Sequence, residues 1–144
     1  PFGVPAAQVD AFVLSKAAWL ERAKARAARR RAEDSAPCAV TPAQALALFE
    51  AVSAQVFPCF SGVLGGVRPT LKVRRMKTRW GVCMPGKRQI TLNLRLAEKP
   101  LAAVEYVVVH EYAHFVHCDH SPAFWAVVAR ILPDYKARRA LLRA

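Results

Sequence analysis

The sequence HEYAH occupies residues 110–114 and follows a largely apolar run over residues 101–109. On a helix, residues four positions apart lie on one face, so His110 and His114 can direct both imidazoles at one metal ion. Glu111 lies beside them, where its carboxylate can accept a proton from water on the metal without coordinating the metal itself. The pattern therefore predicts a zinc-dependent hydrolytic site on a helix that spans about residues 100–118.

Two histidines downstream compete to be the third ligand of this site. His120 follows His114 by six residues, which is enough for the chain to leave the helix and return a ligand from another direction. His117 follows His114 by three residues, so a helix that continued past His114 would place it on the same face. It would then lie seven residues, roughly 10 Å, from His110 along the axis. This geometry favours His120 as the third ligand and leaves His117 as the alternative.

Hydrophobic periodicity and turn residues predict an α+β chain around this helix. Apolar residues at helical spacing indicate a long helix over residues 6–33, and Thr41 with Gln44 forms a capping box that opens a second helix. Alternating polar and apolar residues predict strands at residues 71–74 and 89–94, and residues 79–83 are predicted as a strand that leads into the turn at Pro85 and Gly86. Ser121 and Pro133 precede two further helices.

The length of 144 residues predicts a single domain over residues 1–144. Because the sequence begins at Pro1 instead of a methionine, we expect upstream elements of the natural domain to be missing. No apolar run is long enough to cross a membrane, and no signal segment is recognisable. The four cysteines have no C-x-x-C spacing, which argues against a disulfide framework and predicts a cytoplasmic protein.

The net charge of +12 arises from 22 Lys and Arg residues against 10 Asp and Glu residues. The basic residues are clustered at residues 22–31, 68–79 and 136–143. A single cluster of this kind is typical of a solvated helix face, whereas three together favour some affinity for polyanions such as nucleic acid. Nucleic acid is therefore a possible partner, beside a protein or peptide substrate.

Several segments align in order with one protein family. They are RWGVC at residues 79–83, a short strand at 90–94, YVVVHEYAH at 106–114, HSPAFW at 120–125 and PDYK at 133–136. Together they resemble the YgjP-like zinc metallopeptidases, which are relatives of the WLM and SprT-like proteases. One departure is Val82, where the family usually has a serine.

The resemblance implies a compact zincin-like domain: N-terminal helices, a small antiparallel sheet, the H-E-x-x-H helix and C-terminal helices. It implies His110, His114 and His120 as zinc ligands and Glu111 as the catalytic base. The family usually has strands before the first helix, and this chain begins too late to contain them.

The leading hypothesis is peptide-bond hydrolysis, in which zinc activates water and Glu111 carries the proton to the leaving amine. An edge strand usually presents the substrate in such enzymes, and residues 89–94 are the candidate. A second electrophile is expected to stabilise the oxyanion. Tyr106, Arg79 and His117 are candidates for that role.

Two alternatives to a simple peptidase remain. The first is a nucleic-acid-binding module in which zinc only stabilises the fold, but structural sites fill four protein ligands, commonly thiolates, whereas this pattern supplies three imidazoles. The second is a DNA-associated protease of the SprT-like kind, which combines the hydrolytic site with the basic clusters.

Overall fold

The computed structural model describes residue 3 and residues 5–143. Among these, five α-helices and three β-strands follow one another along the chain: α1 (Ala6–Ser35), α2 (Pro42–Val56), β1 (Thr70–Arg74), β2 (Gly81–Met84), β3 (Gln89–Asn93), α3 (Leu101–Ala113), α4 (Pro122–Ile131) and α5 (Tyr135–Ala140). Short 3-10 helices lie at Phe57–Cys59, Pro85–Lys87, Leu94–Glu98 and Leu141–Arg143. The chain divides into two compact units, residues 1–37 and 38–144. The prediction of one domain over the whole chain stays a prediction.

Helix α1 belongs to the first unit and contains the predicted helix over residues 6–33. Its second half is rich in alanine and arginine, both of which have high helix propensity. Ion pairs one turn apart, Lys24 with Glu21 and Arg29 with Glu33, lie on its exposed surface. Each contributes only about 0.2–0.5 kcal/mol to helix stability, so propensity is the main local reason for this helix.

Helix α2 opens the second unit with the predicted capping box. The Gln44 backbone N–H donates to Thr41 Oγ1 at 3.2 Å, and the Thr41 backbone N–H donates to Gln44 Oε1 at 2.9 Å. These bonds satisfy two backbone donors that the helix itself leaves free. The buried face of α2 consists of Ala45, Phe49, Val52, Ser53 and Val56. Their spacing follows the helical repeat, and this face packs against α3 and the sheet.

The sheet has the strand order β1-β3-β2. Strand β3 pairs with β1 in parallel, with Val73 opposite Leu92, and with β2 in antiparallel, with Cys83 opposite Ile90. The sheet is therefore mixed, whereas the sequence predicted an antiparallel one. The reason is that the β2–β3 hairpin folds back and inserts β3 beside β1, so β1 and β3 run in the same direction.

This order also contradicts the prediction that residues 89–94 form the substrate-binding edge strand. Strand β3 is central, with both edges hydrogen-bonded to neighbours, and Ile90 and Leu92 are fully buried. The free edges of the sheet belong to β1 and β2. The alternation in the sequence identified a strand but could not show its position in the sheet.

Helix α3 runs through the core of the second unit. Nine of its thirteen residues are buried, including Val104, Val108 and Tyr112. The helix ends at Ala113 rather than near residue 118, which corrects the predicted extent. Beyond Ala113 the chain forms tighter turns of the 3-10 type. The backbone N–H of Phe115 donates to the Tyr112 carbonyl and that of Val116 to the Ala113 carbonyl, each at 3.0 Å.

The C-terminal helices cover α3 on the side of the histidines. Ser121 caps α4, with its Oγ accepting a hydrogen bond from the Phe124 backbone N–H, and α4 buries Phe124 and Val128. On α5, Arg138 pairs with Asp134 at 2.9 Å and also with Glu105 of α3. The pair with Glu105 ties α5 to α3, whereas the pair with Asp134 lies within the α5 segment. Within the described residues, no helix is both long and apolar enough to span a membrane.

We expect the buried hydroxyl pair between α2 and α3 to be a measurable contributor to stability. Ser53 Oγ and Tyr112 Oη lie 2.6 Å apart, and both residues are almost fully buried. Ser53→Ala or Tyr112→Phe leaves one polar atom unsatisfied, so each should lower the free energy of unfolding by about 1–3 kcal/mol. In denaturant titrations the double variant should lose clearly less than the sum of the two. Strictly additive losses would contradict a direct hydrogen bond.

Candidate metal centre

The fold brings three of the four histidines together at the C-terminal end of α3. His110 lies in the last turn of α3, His114 follows its last residue, and His120 precedes α4. One ring nitrogen from each lies within 4.8 Å of the other two, and this is the only group of potential metal ligands found among the described residues. The structure therefore brings together the residues that the sequence proposed as ligands.

His110 and His120 face each other through their ring nitrogens. Their Nε2 atoms are 3.1 Å apart, a distance at which two imidazoles either share one proton or direct both lone pairs at one cation. Burial lowers the pKa of His110 to about 3, helped by the charges of His114 and His120. Burial is also the main cause of the lowered pKa of His114. Neutral imidazoles are the form that binds zinc, so the donor set fits the ion.

His114 is oriented by the backbone that follows it. Its Nδ1 lies 3.1 Å from the carbonyl oxygen of His117, so an Nδ1–H tautomer donates to this carbonyl and leaves Nε2 unprotonated. The His117 side chain is not part of the histidine group. His117 thus acts on the site through its main chain, because the end of α3 at Ala113 removes it from the helical face that the sequence suggested.

Aromatic packing holds the other two rings. His120 stacks on Trp125 with centroids 5.8 Å apart at 25°, and Trp125 stacks in turn on Tyr135 at 5.4 Å. His110 packs edge-on against Phe124 at 4.9 Å. The His110 Nδ1 is buried and has no hydrogen-bond partner in the described part of the chain. On the Nδ1 side, packing rather than hydrogen bonding therefore fixes this ring.

Glu111 is buried between α3 and β2, with 5% of its surface exposed. Burial raises its pKa to about 7, against the opposing effects of a backbone hydrogen bond from Cys83 and the charge of Arg79. A Cβ atom at Gly81 would lie 2.7 Å from both Cγ and Oε1 of Glu111. Glycine at position 81 is thus a steric requirement for this carboxylate position, a role the sequence analysis did not assign.

We use the name metal cleft for the cavity of about 940 Å³ next to the histidines. Its lining residues include His110, His114, His120, Glu111, Gly81, Val82, Cys83, Arg79, Tyr106, Trp125 and Arg139. Arg79 and Tyr106, predicted as accessory residues, both reach this cleft. The third predicted accessory residue, His117, is not among the described residues that line it. Cys83 is an unreactive part of the wall, since burial raises the pKa of its thiol to about 12.

We expect measurements of zinc content to show whether His120 or His117 is the third ligand. Wild-type protein purified without added metal should contain one zinc ion per chain by elemental analysis. His120→Ala should lose it, because two imidazoles remain. His117→Ala should retain it, since the carbonyl that orients His114 belongs to the backbone and survives the substitution. Loss of zinc in His117→Ala with retention in His120→Ala would contradict this ligand arrangement.

Comparisons with known proteins identify the family of the chain. Residues 43–144 match the YgjP-like metallopeptidase domain. Among solved structures, the metallopeptidase zymogen of Pyrococcus abyssi abylysin has a similar fold: the TM-score is 0.55, with 22% identity, over 65% of this chain and 90% of that chain. No curated protein matches the sequence. The family match covers most of the chain and confirms the sequence resemblance: this protein belongs to the YgjP-like metallopeptidases, a family of metal-dependent peptidases.

Proposed function

We propose that this protein hydrolyses peptide bonds in protein or peptide substrates, with a zinc ion held by His110, His114 and His120. The observation that carries the proposal is the group of three ring nitrogens within 4.8 Å of one another in the metal cleft. Three protein ligands leave a fourth position for water or substrate, which is the pattern of catalytic rather than structural zinc. Zinc bound there lowers the pKa of water and polarises the substrate carbonyl.

Glu111 is the general base in this proposal. A carboxylate with a pKa of about 7 is poised to accept a proton near neutral pH and to release it again. It takes the proton from the attacking water and returns it to the leaving amine. The backbone hydrogen bond from Cys83 and the missing side chain at Gly81 support this carboxylate in one position. Strand β2 is therefore a supporting element of the base.

The same strand is the proposed platform for the substrate. Strand β2 is an edge strand, and Gly81, Val82 and Cys83 line the metal cleft. An extended peptide can add to a free sheet edge through main-chain hydrogen bonds, which bind it without strong dependence on its side chains. Strand β2 thus takes the role that the sequence analysis gave to residues 89–94.

Tyr106 and Arg79 are the proposed stabilisers of the oxyanion. Tyr106 is 4% exposed, and burial raises the pKa of its phenol, so the hydroxyl stays protonated and can donate a hydrogen bond. Arg79 carries a permanent charge and lines the same cleft. Both groups can reach a negative oxygen that forms in the cleft. His117 is left out because its side chain lies outside the group of cleft-lining residues.

A zinc-stabilised nucleic-acid module is less consistent with the site. A structural zinc needs neither an open cleft nor a buried carboxylate beside its ligands. The basic clusters are compatible with a peptidase that is recruited to nucleic acid, and the net charge of +12 supports that extension. Stimulation of proteolysis by DNA at low salt, lost at high salt, would support it.

Four free cysteines are compatible with a reducing, cytoplasmic location.

We expect Glu111→Gln to separate metal binding from turnover. Glutamine keeps the shape of the side chain but cannot accept the proton, so hydrolysis should fall by at least about a hundredfold while zinc content stays unchanged. Glu50→Gln is the matched control, because Glu50 pairs with Arg68 and does not line the metal cleft. Cleavage of unfolded protein substrates, followed by mass spectrometry, provides the measurement. Wild-type rates in Glu111→Gln would rule out its role as the base.

A further inference from the structure

A second, smaller cavity of about 400 Å³ adjoins the metal cleft. Its lining consists of Trp125, Tyr135, Lys136, Arg139, Ala140 and Arg143. Trp125 and Arg139 also line the metal cleft, so the two cavities lie side by side and share these two side chains as a wall. A group bound in the second cavity therefore lies close to a substrate in the metal cleft.

Among the described residues, the second cavity is lined by three cations and by no acidic side chain. Lys136, Arg139 and Arg143 lie three and four residues apart, which brings them to one face of the C-terminal helical segment. We call these three side chains the basic face. All three side chains are exposed to solvent. Binding of a ligand therefore removes only part of their hydration, at a modest cost in free energy.

The basic face is not neutralised from within the described protein. Its neighbour Arg138 uses its charge in ion pairs with Asp134 and Glu105. By contrast, none of the ion pairs among the described residues involves a member of the basic face. Arg139 instead lies over the Trp125 ring, with Cζ 5.7 Å from its centroid. Such stacking fixes the guanidinium while leaving its N–H groups available to an anion.

Arg139 lies close enough to the metal site for one extended peptide to reach both. Trp125 stacks on His120 with ring centroids 5.8 Å apart, and the Cζ atom of Arg139 lies 5.7 Å from the centroid of the Trp125 ring. An extended peptide advances ~3.4 Å per residue, so Arg139 lies within about three to four residues of His120 along such a peptide. An anion at that place on a peptide is a carboxylate, either of an Asp or Glu side chain or of the chain end.

Building on the proposed peptidase function, we propose that Lys136, Arg139 and Arg143 form a subsite for a substrate carboxylate close to the scissile bond. The subsite makes the enzyme selective for acidic peptides. Arginine suits this task because its planar guanidinium can bind a carboxylate through two parallel hydrogen bonds. The stacked rings of Trp125 and Tyr135 supply an apolar wall for the methylene groups that carry the carboxylate.

Binding to the catalytically blocked Glu111→Gln protein tests the subsite separately from turnover. The probes are rhodamine-labelled dodecapeptides of one neutral sequence with Glu or Gln at the central positions, each with a free or an amidated C-terminus. Fluorescence anisotropy should show about five- to tenfold tighter binding of peptides with a carboxylate, since exposed charge pairs contribute modestly and additively. Preference for Glu in the amidated pair identifies a side-chain carboxylate, and preference for the free end in the Gln pair identifies a terminal one.

Charge-removing variants then locate the effect. Lys136→Gln, Arg139→Gln and Arg143→Gln together should reduce the preference to less than about twofold, because no cation remains in the subsite. Arg130→Gln removes one exposed charge outside both cavities and should keep the preference. The conservative Arg139→Lys change should retain part of it, and circular dichroism confirms that each variant is folded.

Equal binding of all four peptides, or an unchanged preference in the triple variant, would overturn the proposal. It would also be overturned if the triple variant lost affinity only for a mixed-sequence single-stranded oligonucleotide, since the basic face would then be a nucleic-acid contact. Peptide cleavage by the wild type is measured in parallel. Cleavage without a carboxylate preference contradicts the subsite alone, whereas a carboxylate preference in binding without any cleavage contradicts the peptidase function alone.

Discussion

The site depends on one constraint: polar groups are placed at the end of a helix whose remaining length is buried in the core. Helix α3 buries most of its surface, and its last turn carries His110 and Glu111. Burial disfavours the charged form of each group, so the imidazole stays neutral and the carboxylate becomes a stronger base. The packing that stabilises the fold is thus also what adjusts these residues for binding a cation and moving a proton.

Strand β2 and the segment after α3 provide the remaining support. The strand gives Glu111 a backbone hydrogen bond and a space that only glycine leaves open. The turn after α3 directs the His117 carbonyl to His114, and the aromatic stack of Trp125 and Tyr135 holds His120. His114 is therefore held by a hydrogen bond to the main chain, whereas His120 is held by aromatic stacking. This arrangement reduces the reorganisation that metal binding requires.

The sequence predicted those features that depend on local pattern. The capping box at Thr41, the strands and the approach of His110, His114 and His120 all follow from residue spacing. The strand order did not follow, because a hairpin that folds back to insert β3 beside β1 leaves no local signature. The roles of Gly81 and of the His117 carbonyl were also missed. Each role depends on main-chain geometry: the missing Cβ at Gly81 makes room for Glu111, and the His117 carbonyl meets the ring of His114. The spacing of residue types along a sequence does not reveal such contacts.

The C-terminal segment links the site to the strong positive charge of the chain. Arg138 forms ion pairs with Asp134 within the α5 segment and with Glu105 of α3, and the second pair holds α5 to α3. The basic face of Lys136, Arg139 and Arg143 takes part in none of the ion pairs among the described residues, and it lines the cavity beside the metal cleft. A cluster that the sequence could assign only to polyanions in general thus acquires a defined position. Its closeness to His120 is the basis of the proposed carboxylate subsite.

The account rests on an open three-histidine zinc site, and anomalous diffraction at the zinc edge tests it most directly. Crystals of the protein grown with zinc should show one anomalous peak at about 2.0–2.1 Å from a ring nitrogen of each of His110, His114 and His120, with solvent as the fourth ligand. Cys118 is a free cysteine that also lines the metal cleft. An ion bound in addition by its thiolate, or by another fourth protein ligand, would identify a closed structural site. A peak elsewhere in the molecule would contradict the account as well.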